Sequence, residues 1–356
     1  MLNKTIRSIL QKPFFIQLLH WEYWSFNTLY FFLYPIFIWY GVKAKSFFFF
    51  SASNPSITNG GFLMESKKDI DAILPNAYKP TTLFFTIGTD ITTILQEMDK
   101  YQIGFPIIIK PNVGERGRGV KKIDSHKVLQ QVLPLYTVSY IIQPFVYYPK
   151  EIGLFYVRMP NSNVGNITGI VRKEFMQVTG DGKKSILELL QQNERYILQL
   201  PTLKKLIPER LSIVLPKNVT EQILPYGNHA RGCLFIDDSL LVTPELEAVF
   251  NKVCLQINGF YYGRLDIKYN SWEELLEGKN FSIIELNGAG SEPTHIYDPK
   301  HSIFFAWKEI VRHWKLMYTI AQMNHQNGVA YLSFKDGMQM FKDSSVHGKK
   351  LDALII

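Results

Sequence analysis

Apolar and polar residues alternate most cleanly in two short stretches. Gly263-Arg-Leu-Asp-Ile-Lys268 and Ile283-Ile-Glu-Leu-Asn287 each read as a half-buried strand. Period two sends Arg264 and Asp266 to one face of the first strand, and Glu285 and Asn287 to one face of the second. Turn-prone residues between them, 269–271 and 278–280, let the strands fold back and pair. Further strands are expected at 46–52, 81–88, 105–110, 139–146, 152–158 and 167–174. Helices are expected at 65–74, 91–101, 125–135, 185–192, 244–258 and 302–322. Residues 193–227 read as irregular, and apolar periodicity fades after Gly337, so the C-terminus is expected to be loosely held. Mixed strands and helices of these lengths predict an α+β protein of two or three lobes.

The N-terminal pattern is different. Lys4, Arg7 and Lys12 precede an uncharged, aromatic run at 24–42, which Lys43 and Lys45 follow. The run is about the minimum length for a membrane-spanning helix. Positive charge on both flanks places both ends on the cytoplasmic side, and the tryptophans and tyrosines suit an interface. The expectation is an in-plane or re-entrant hairpin bent near Pro35, at the inner face of the cell membrane. A very apolar packing helix or an oligomer contact is the alternative. Late onset of the apolar core and the lack of a small-residue cleavage site make a cleavable signal peptide a poor fit.

Composition adds less. Net charge is +8, which suits anionic lipid or phosphorylated substrates, and there is no Arg-rich run that would argue for nucleic acid. Cys233 and Cys254 fit no metal spacing and read as buried thiols.

Candidate chemistry lies in the strand ends. Asp266, Glu285 and the Asn287 amide are hard oxygen donors of the kind that hold Mg²⁺ against phosphates, with Arg264 beside them. The alternative is a surface hairpin with solvated charges. Upstream, an apolar strand ends at Lys110 and runs into a loop spaced by Gly114, Gly117 and Gly119, whose amides can wrap phosphates. The spacing is neither a P-loop nor a Rossmann fingerprint.

The order of these features resembles the ATP-grasp superfamily, in particular the branch of D-alanine–D-alanine ligases, over roughly residues 105–300. The resemblance implies that Lys110 and the glycine loop close over ATP phosphates. It implies that Gln143, Phe145 and Val146 form the adenine-reading hinge, that Glu151 binds ribose and that Lys173 contacts phosphate. Asp266, Glu285 and Asn287 match the Mg²⁺ ligands, and Arg264 the arginine that stabilises negative charge at the reacting centre. The organisation that follows is an N-terminal segment at 1–45, a short α/β domain at 46–104, an ATP-grasp domain at 105–325 and an extension at 326–356. The ATP-grasp domain would divide into a lid lobe at about 105–180 and a metal-bearing lobe at about 181–325.

The implied activity is ATP-dependent joining of a carboxylate to an amine through an acylphosphate, with a membrane-linked substrate as one option. A small-molecule or lipid kinase and a non-catalytic nucleotide-binding scaffold are the alternatives, and a homo-oligomer is open. The turn after Asn287 lacks the family's proline–glycine–methionine sequence, and the first domain is short; both argue against D-alanine as substrate. Substrate contacts are expected from Asn54, Asn59, Glu65, His229, Arg231 and Ser291, with His295 as acid or base. Lys67, or less well Lys79, stands where the family has an upstream ATP-binding lysine.

Overall fold

The computed structural model describes residues 12–114, 117–224 and 227–354. Lys4, Arg7, Arg116 and Tyr226 lie outside the described residues. The strands are β1 Leu83–Phe85, β2 Ile107–Pro111, β3 Lys121–Ile123, β4 Tyr140–Pro144, β5 Lys150–Arg158, β6 Gly165–Glu174, β7 Gln177–Thr179, β8 Thr220–Gln222, β9 Leu234–Asp237, β10 Tyr262–Tyr269 and β11 Phe281–Asn287. They form two main antiparallel sheets, ordered β1-β4-β2-β3 and β11-β10-β5-β6-β9, and a small β7-β8 hairpin. The α+β architecture implied by the sequence is present: two sheet-bearing lobes face each other across a cleft.

Alternation explains both sheets. In β2, Ile107 and Ile109 enter an apolar core with Ile94 and Leu129 from the helices Ile91–Lys100 and His126–Val132. Ile108 and Lys110 take the other face and line the cleft. In β5, Ile152, Leu154 and Tyr156 pack with Phe250 and Val253 of the helix Pro244–Cys254. Phe155 and Val157 on the opposite face pack with Tyr262, Phe48–Phe50 and the helix Ile303–Gln326. That second face is therefore apolar at one end and, at Glu151, open to the cleft at the other. Serine, threonine or aspartate begins most of the helices. Ser66, Asp90, Ser125, Ser185, Thr243, Ser302 and Ser333 each accept a backbone N–H of the first turn.

Several expectations are corrected. Residues 46–52 are not a strand: Phe49–Ala52 is a helical turn, reached through a left-handed Lys45, and its phenylalanines fill the core between β5, β10 and the helix Ile303–Gln326 rather than joining a sheet. Residues 193–227 contain the helices Glu194–Ile197 and Leu200–Leu206 and the strand β8, all closing a small core around Leu190 and Leu203. The C-terminus is not loose: Phe334–Asp352 is one helix, with Gly337 against Phe48 and Leu351 and Leu354 against Val138. Lobe membership also differs from the expected ranges. β1, from the segment before residue 105, pairs with β4, whereas β5 and β6 join the second sheet.

Pro35 does not bend a hairpin; it opens the helix Tyr34–Ala44, where its missing N–H costs nothing. Residues 12–45 form a chain of short helices, Pro13–Leu19, Phe26–Tyr30 and Tyr34–Ala44, of which the last two pack against Ile303–Gln326. Trp307 Nε1 donates to Leu29 O at 2.9 Å, and Phe37 packs edge-on against Trp314. No helix among the described residues is long and apolar enough to cross a membrane. Both cysteines are free and buried, as expected.

Candidate active site

β10 and β11 pair in the register that the alternation requires, with Arg264 opposite Asn287 and Asp266 opposite Glu285. Their side chains line a cavity of about 770 Å³ between the sheets. Arg264 Nε donates to Asp266 Oδ1 at 2.9 Å, and Nη2 reaches Oδ2 at 3.3 Å. Lys173, from β6, donates to Glu151 Oε1 at 2.8 Å and stands 3.2 Å from Asp266 Oδ2. Lys268 approaches Glu151 from the far side. Glu151, Lys173 and Asp266 are all buried, and burial alone would favour the neutral forms of Lys173 and Asp266. Pairing wins: against burial, Arg264 and then Lys173 hold the Asp266 carboxyl below its usual range, while Asp266 and Glu151 hold Lys173 above its own. Gly153 makes the arrangement possible. It sits directly across from Asp266, and a Cβ there would stand 2.9 Å from Val171 Cγ1 and 3.1 Å from Asp266 Oδ1.

The other lobe contributes Lys110, whose Nζ crosses the cleft to Ile284 O at 3.1 Å. Burial pulls its ammonium down to about 8, opposed by the charge of Glu285. Lys67 donates to Gly114 O at 2.8 Å and so borders the glycine loop, whereas Lys79 is tied to Asp71 at 2.6 Å. Gly117 and Gly119 take positive φ, which an L side chain rarely adopts. The C-terminal helix holds this loop from outside: His347 Nε2 lies 2.8 Å from Val113 O, Arg118 bonds Asp352 at 2.9 Å, and Leu351 packs at Gly114. Gln143, Phe145, Val146 and Glu151 line the cleft together. The Gln143 amide is committed to Thr82, and the Phe145 N–H to Pro106 O, so both are partnered within the protein.

At the far end the wall is aromatic, and most of it was not read from the sequence. His229 stacks between Tyr23 and Tyr297, and Tyr297 stacks on Trp21. Arg195 is buried, pairs with Glu22 at 2.7 Å and touches His229 Nε2. Burial and the Arg195 charge push His229 down to about 3, so it is neutral and brings no positive charge to a substrate carboxylate. Glu292 lines the cleft with one carboxylate oxygen accepting Tyr30 OH at 2.7 Å and Tyr297 OH at 3.0 Å.

Other expected residues sit elsewhere. Asn54 is buried and binds Gly60 O and Tyr262 O, and Asn59, in a left-handed turn, binds Leu63 O. Both shape the 54–62 turn, whose Gly61 meets Gly288 backbone to backbone. Glu65 and Ser291 line the cleft, Ser291 bonding to Asn287 O and Gly288 O. Arg231 stands beside the glycine loop: a Cβ at Gly117 would lie 4.0 Å from its Nε. His295 is not in the cleft wall. It is buried behind the sheet with Glu309 and His313, so the acid–base role expected of it has no geometry.

Glu285, Asp266 and the Asn287 amide are oxygen donors on adjacent strands, the chemical type that a hard cation takes, while both Asp266 oxygens are engaged by Arg264 and Lys173 and the described residues hold no cluster of three or more histidines, cysteines, aspartates or glutamates placed to hold a metal ion. Asn287 Nδ2 and Thr294 Oγ1 are buried at the cleft without a hydrogen-bond partner, an unsatisfied state that a polar ligand would relieve.

Among solved structures the chain is similar to a D-alanine–D-alanine ligase from Bacillus anthracis, at 15% identity and TM-score 0.43, covering 75% of this chain and 70% of that one. It is also similar to a D-Ala:D-Ser ligase from Enterococcus faecalis, at 12% identity and TM-score 0.43, over 74% and 64%. A third likeness is to a bifunctional glutathione synthetase from Pasteurella multocida, at 13% identity and TM-score 0.37, over 73% and 36%. No protein-family model and no curated protein matches the sequence.

Proposed function

We propose that this chain is an ATP-grasp ligase that activates a carboxylate as an acylphosphate and joins it to an amine. The observation that carries the reading is the meeting of Lys110 from one sheet with Arg264, Asp266, Glu285 and Asn287 from the other, across one cleft. ATP would lie along it, adenine at Phe145 and Val146 and phosphates at Lys110 beneath the glycine loop. A carboxylate oxygen then attacks the γ-phosphorus and ADP leaves. The amine attacks the acyl carbon, and phosphate departs with the transferred oxygen. Arg264, already charged, neutralises the oxyanion of that second step. Glu285 and Asn287, with Asp266, would hold Mg²⁺, which when bound supplies charge neutralisation at the phosphates. Lys173 and Glu151 position Asp266 rather than touching the reacting atoms.

The reading extends to a lipid-linked substrate handled at the cytoplasmic face of a membrane, supported by the exposure of Phe31, Phe32 and Trp39 in the N-terminal helices. The test is ADP and phosphate release by purified protein with Mg-ATP and pools of carboxylates and amines, in wild type and Glu285→Ala. Release that requires both substrates and vanishes in the variant is expected. Release that ignores the carboxylate would refute the ligase.

A further inference from the structure

We infer that the outer face of the N-terminal helices, extended by Phe304, is a docking surface for an anionic lipid bilayer, and that it sets the mouth of the cleft at the bilayer interface. This deepens the membrane part of the proposed function, yet it stands on surface observations alone. The helix Tyr34–Ala44 has no charged residue before Lys43 in its last turn, and both of its faces are apolar. One stripe, Phe37, Tyr40 and Ala44, packs inward against Trp314, Tyr318 and the core. The opposite stripe, Ile38, Trp39 and Val42, is exposed, Trp39 at 59%. A helix apolar on every side is normally enclosed on every side. Before it, Phe31 and Phe32 are exposed, and Phe32 touches Trp307, which in turn meets Phe304, exposed at 73%. In Pro13–Leu19 only Ile16 is buried, while Phe14, Leu18 and Leu19 face out.

Charge selects the lipid. Between residues 12 and 64 the one acidic residue is Glu22, and it is buried against Arg195. Lys12, Lys43 and Lys45 are exposed there, and Lys308 follows Phe304 one turn on. Bulky apolar side chains fringed by lysines, where the exposed acid at the edge, Glu194, is paired with His20, match an anionic interface better than a neutral one. The same short helices reach the cleft. Gln17 lies between Phe14 and Leu18 and lines the cavity, as do Trp24 and the exposed Phe26. A bilayer against this face therefore lies beside the aromatic end of the cleft. An amphiphilic substrate would present its polar end to Arg264 and Glu292 while its tail stayed in lipid.

Co-sedimentation of the full chain with phosphatidylcholine–phosphatidylglycerol vesicles and with phosphatidylcholine vesicles, without nucleotide, tests this directly. Binding to the anionic vesicles is expected, with hydrogen-exchange protection in 13–47 and 303–308 and none in 204–219. Phe31→Glu with Trp39→Glu, at exposed positions, should keep the circular dichroism spectrum and lower the partition coefficient at least about tenfold. Lys43→Glu with Lys45→Glu should abolish the preference for the anionic vesicles. No vesicle binding at low salt would overturn the proposal. So would protection elsewhere, or a dimer in light scattering that Trp39→Glu dissociates, since a second copy would then cover the face. The readouts need no turnover, so a failed ligase assay and a failed docking assay are separate results.

Discussion

The two ends of the cleft are built differently. The charged end stands on regular strands. Arg264, Asp266, Glu285 and Asn287 are paired neighbours on β10 and β11, and Glu151 and Lys173 come from β5 and β6 of the same sheet. Four of its charges, Arg264, Asp266, Lys173 and Glu151, already neutralise one another through short contacts. The aromatic end is assembled from turns far apart in the chain: Trp21 and Tyr23, Tyr30, His229, Glu292 and Tyr297. It is held by ring stacking and tyrosine hydroxyls rather than by a ladder of backbone hydrogen bonds. The strand-built end has the fixed geometry that phosphoryl transfer demands, while the turn-built end can differ from one substrate to another.

If the charged end carries the chemistry, Glu285→Ala should cause the largest change, a fall in kcat of about a thousandfold, with little change in folding stability. Lys173→Met separates structure from chemistry. It leaves Glu151 and Asp266 buried without their shared cation and should cost about 3 kcal/mol in urea denaturation, partly restored by adding Glu151→Gln. Gly153→Ala forces a methyl against Val171 and Asp266 and should cost about 2 kcal/mol while lowering turnover.

The pH dependence isolates Lys110. It is charged below its depressed value of about 8 and neutral above, so kcat/KM for ATP should fall as pH rises through about 8. Lys110→Arg should remove that fall, because a guanidinium keeps its charge. The smallest effect belongs to the aromatic end. Tyr30→Phe deletes one of two hydroxyls on Glu292 and should cost about 1 kcal/mol, leaving the KM for ATP unchanged. A larger loss in ATP affinity from Tyr30→Phe than from Lys110→Met would reverse the division of labour between the two ends.

The same contrast governs what could be read from the sequence. Period-two alternation placed Arg264, Asp266, Glu285 and Asn287 on shared faces, and pairing followed from the turns between them. Lys110 and its glycine loop were legible as a strand end and a flexible loop. Lys173's partners were not, because an ion pair between β5, β6 and β10 depends on sheet order. Glu292 and the ring stack were missed because no local period links residue 23 to residues 229 and 297. Ser46–Ala52 misled because a run of phenylalanines suits a buried strand and a buried helical turn equally. The C-terminal helix misled in the opposite sense: its anchors, Met340, Leu351 and Leu354, are too sparse to show a period, yet each is buried.

The most direct test of the central claim follows one oxygen atom. Carboxylates from the productive pool, labelled with oxygen-18, are incubated with Mg-ATP, the amine and the enzyme, and the released phosphate is analysed by mass spectrometry. Transfer through an acylphosphate predicts one labelled oxygen in each phosphate released. Product formation with unlabelled phosphate, or a γ-phosphoryl group retained in a stable phosphoester, would contradict it.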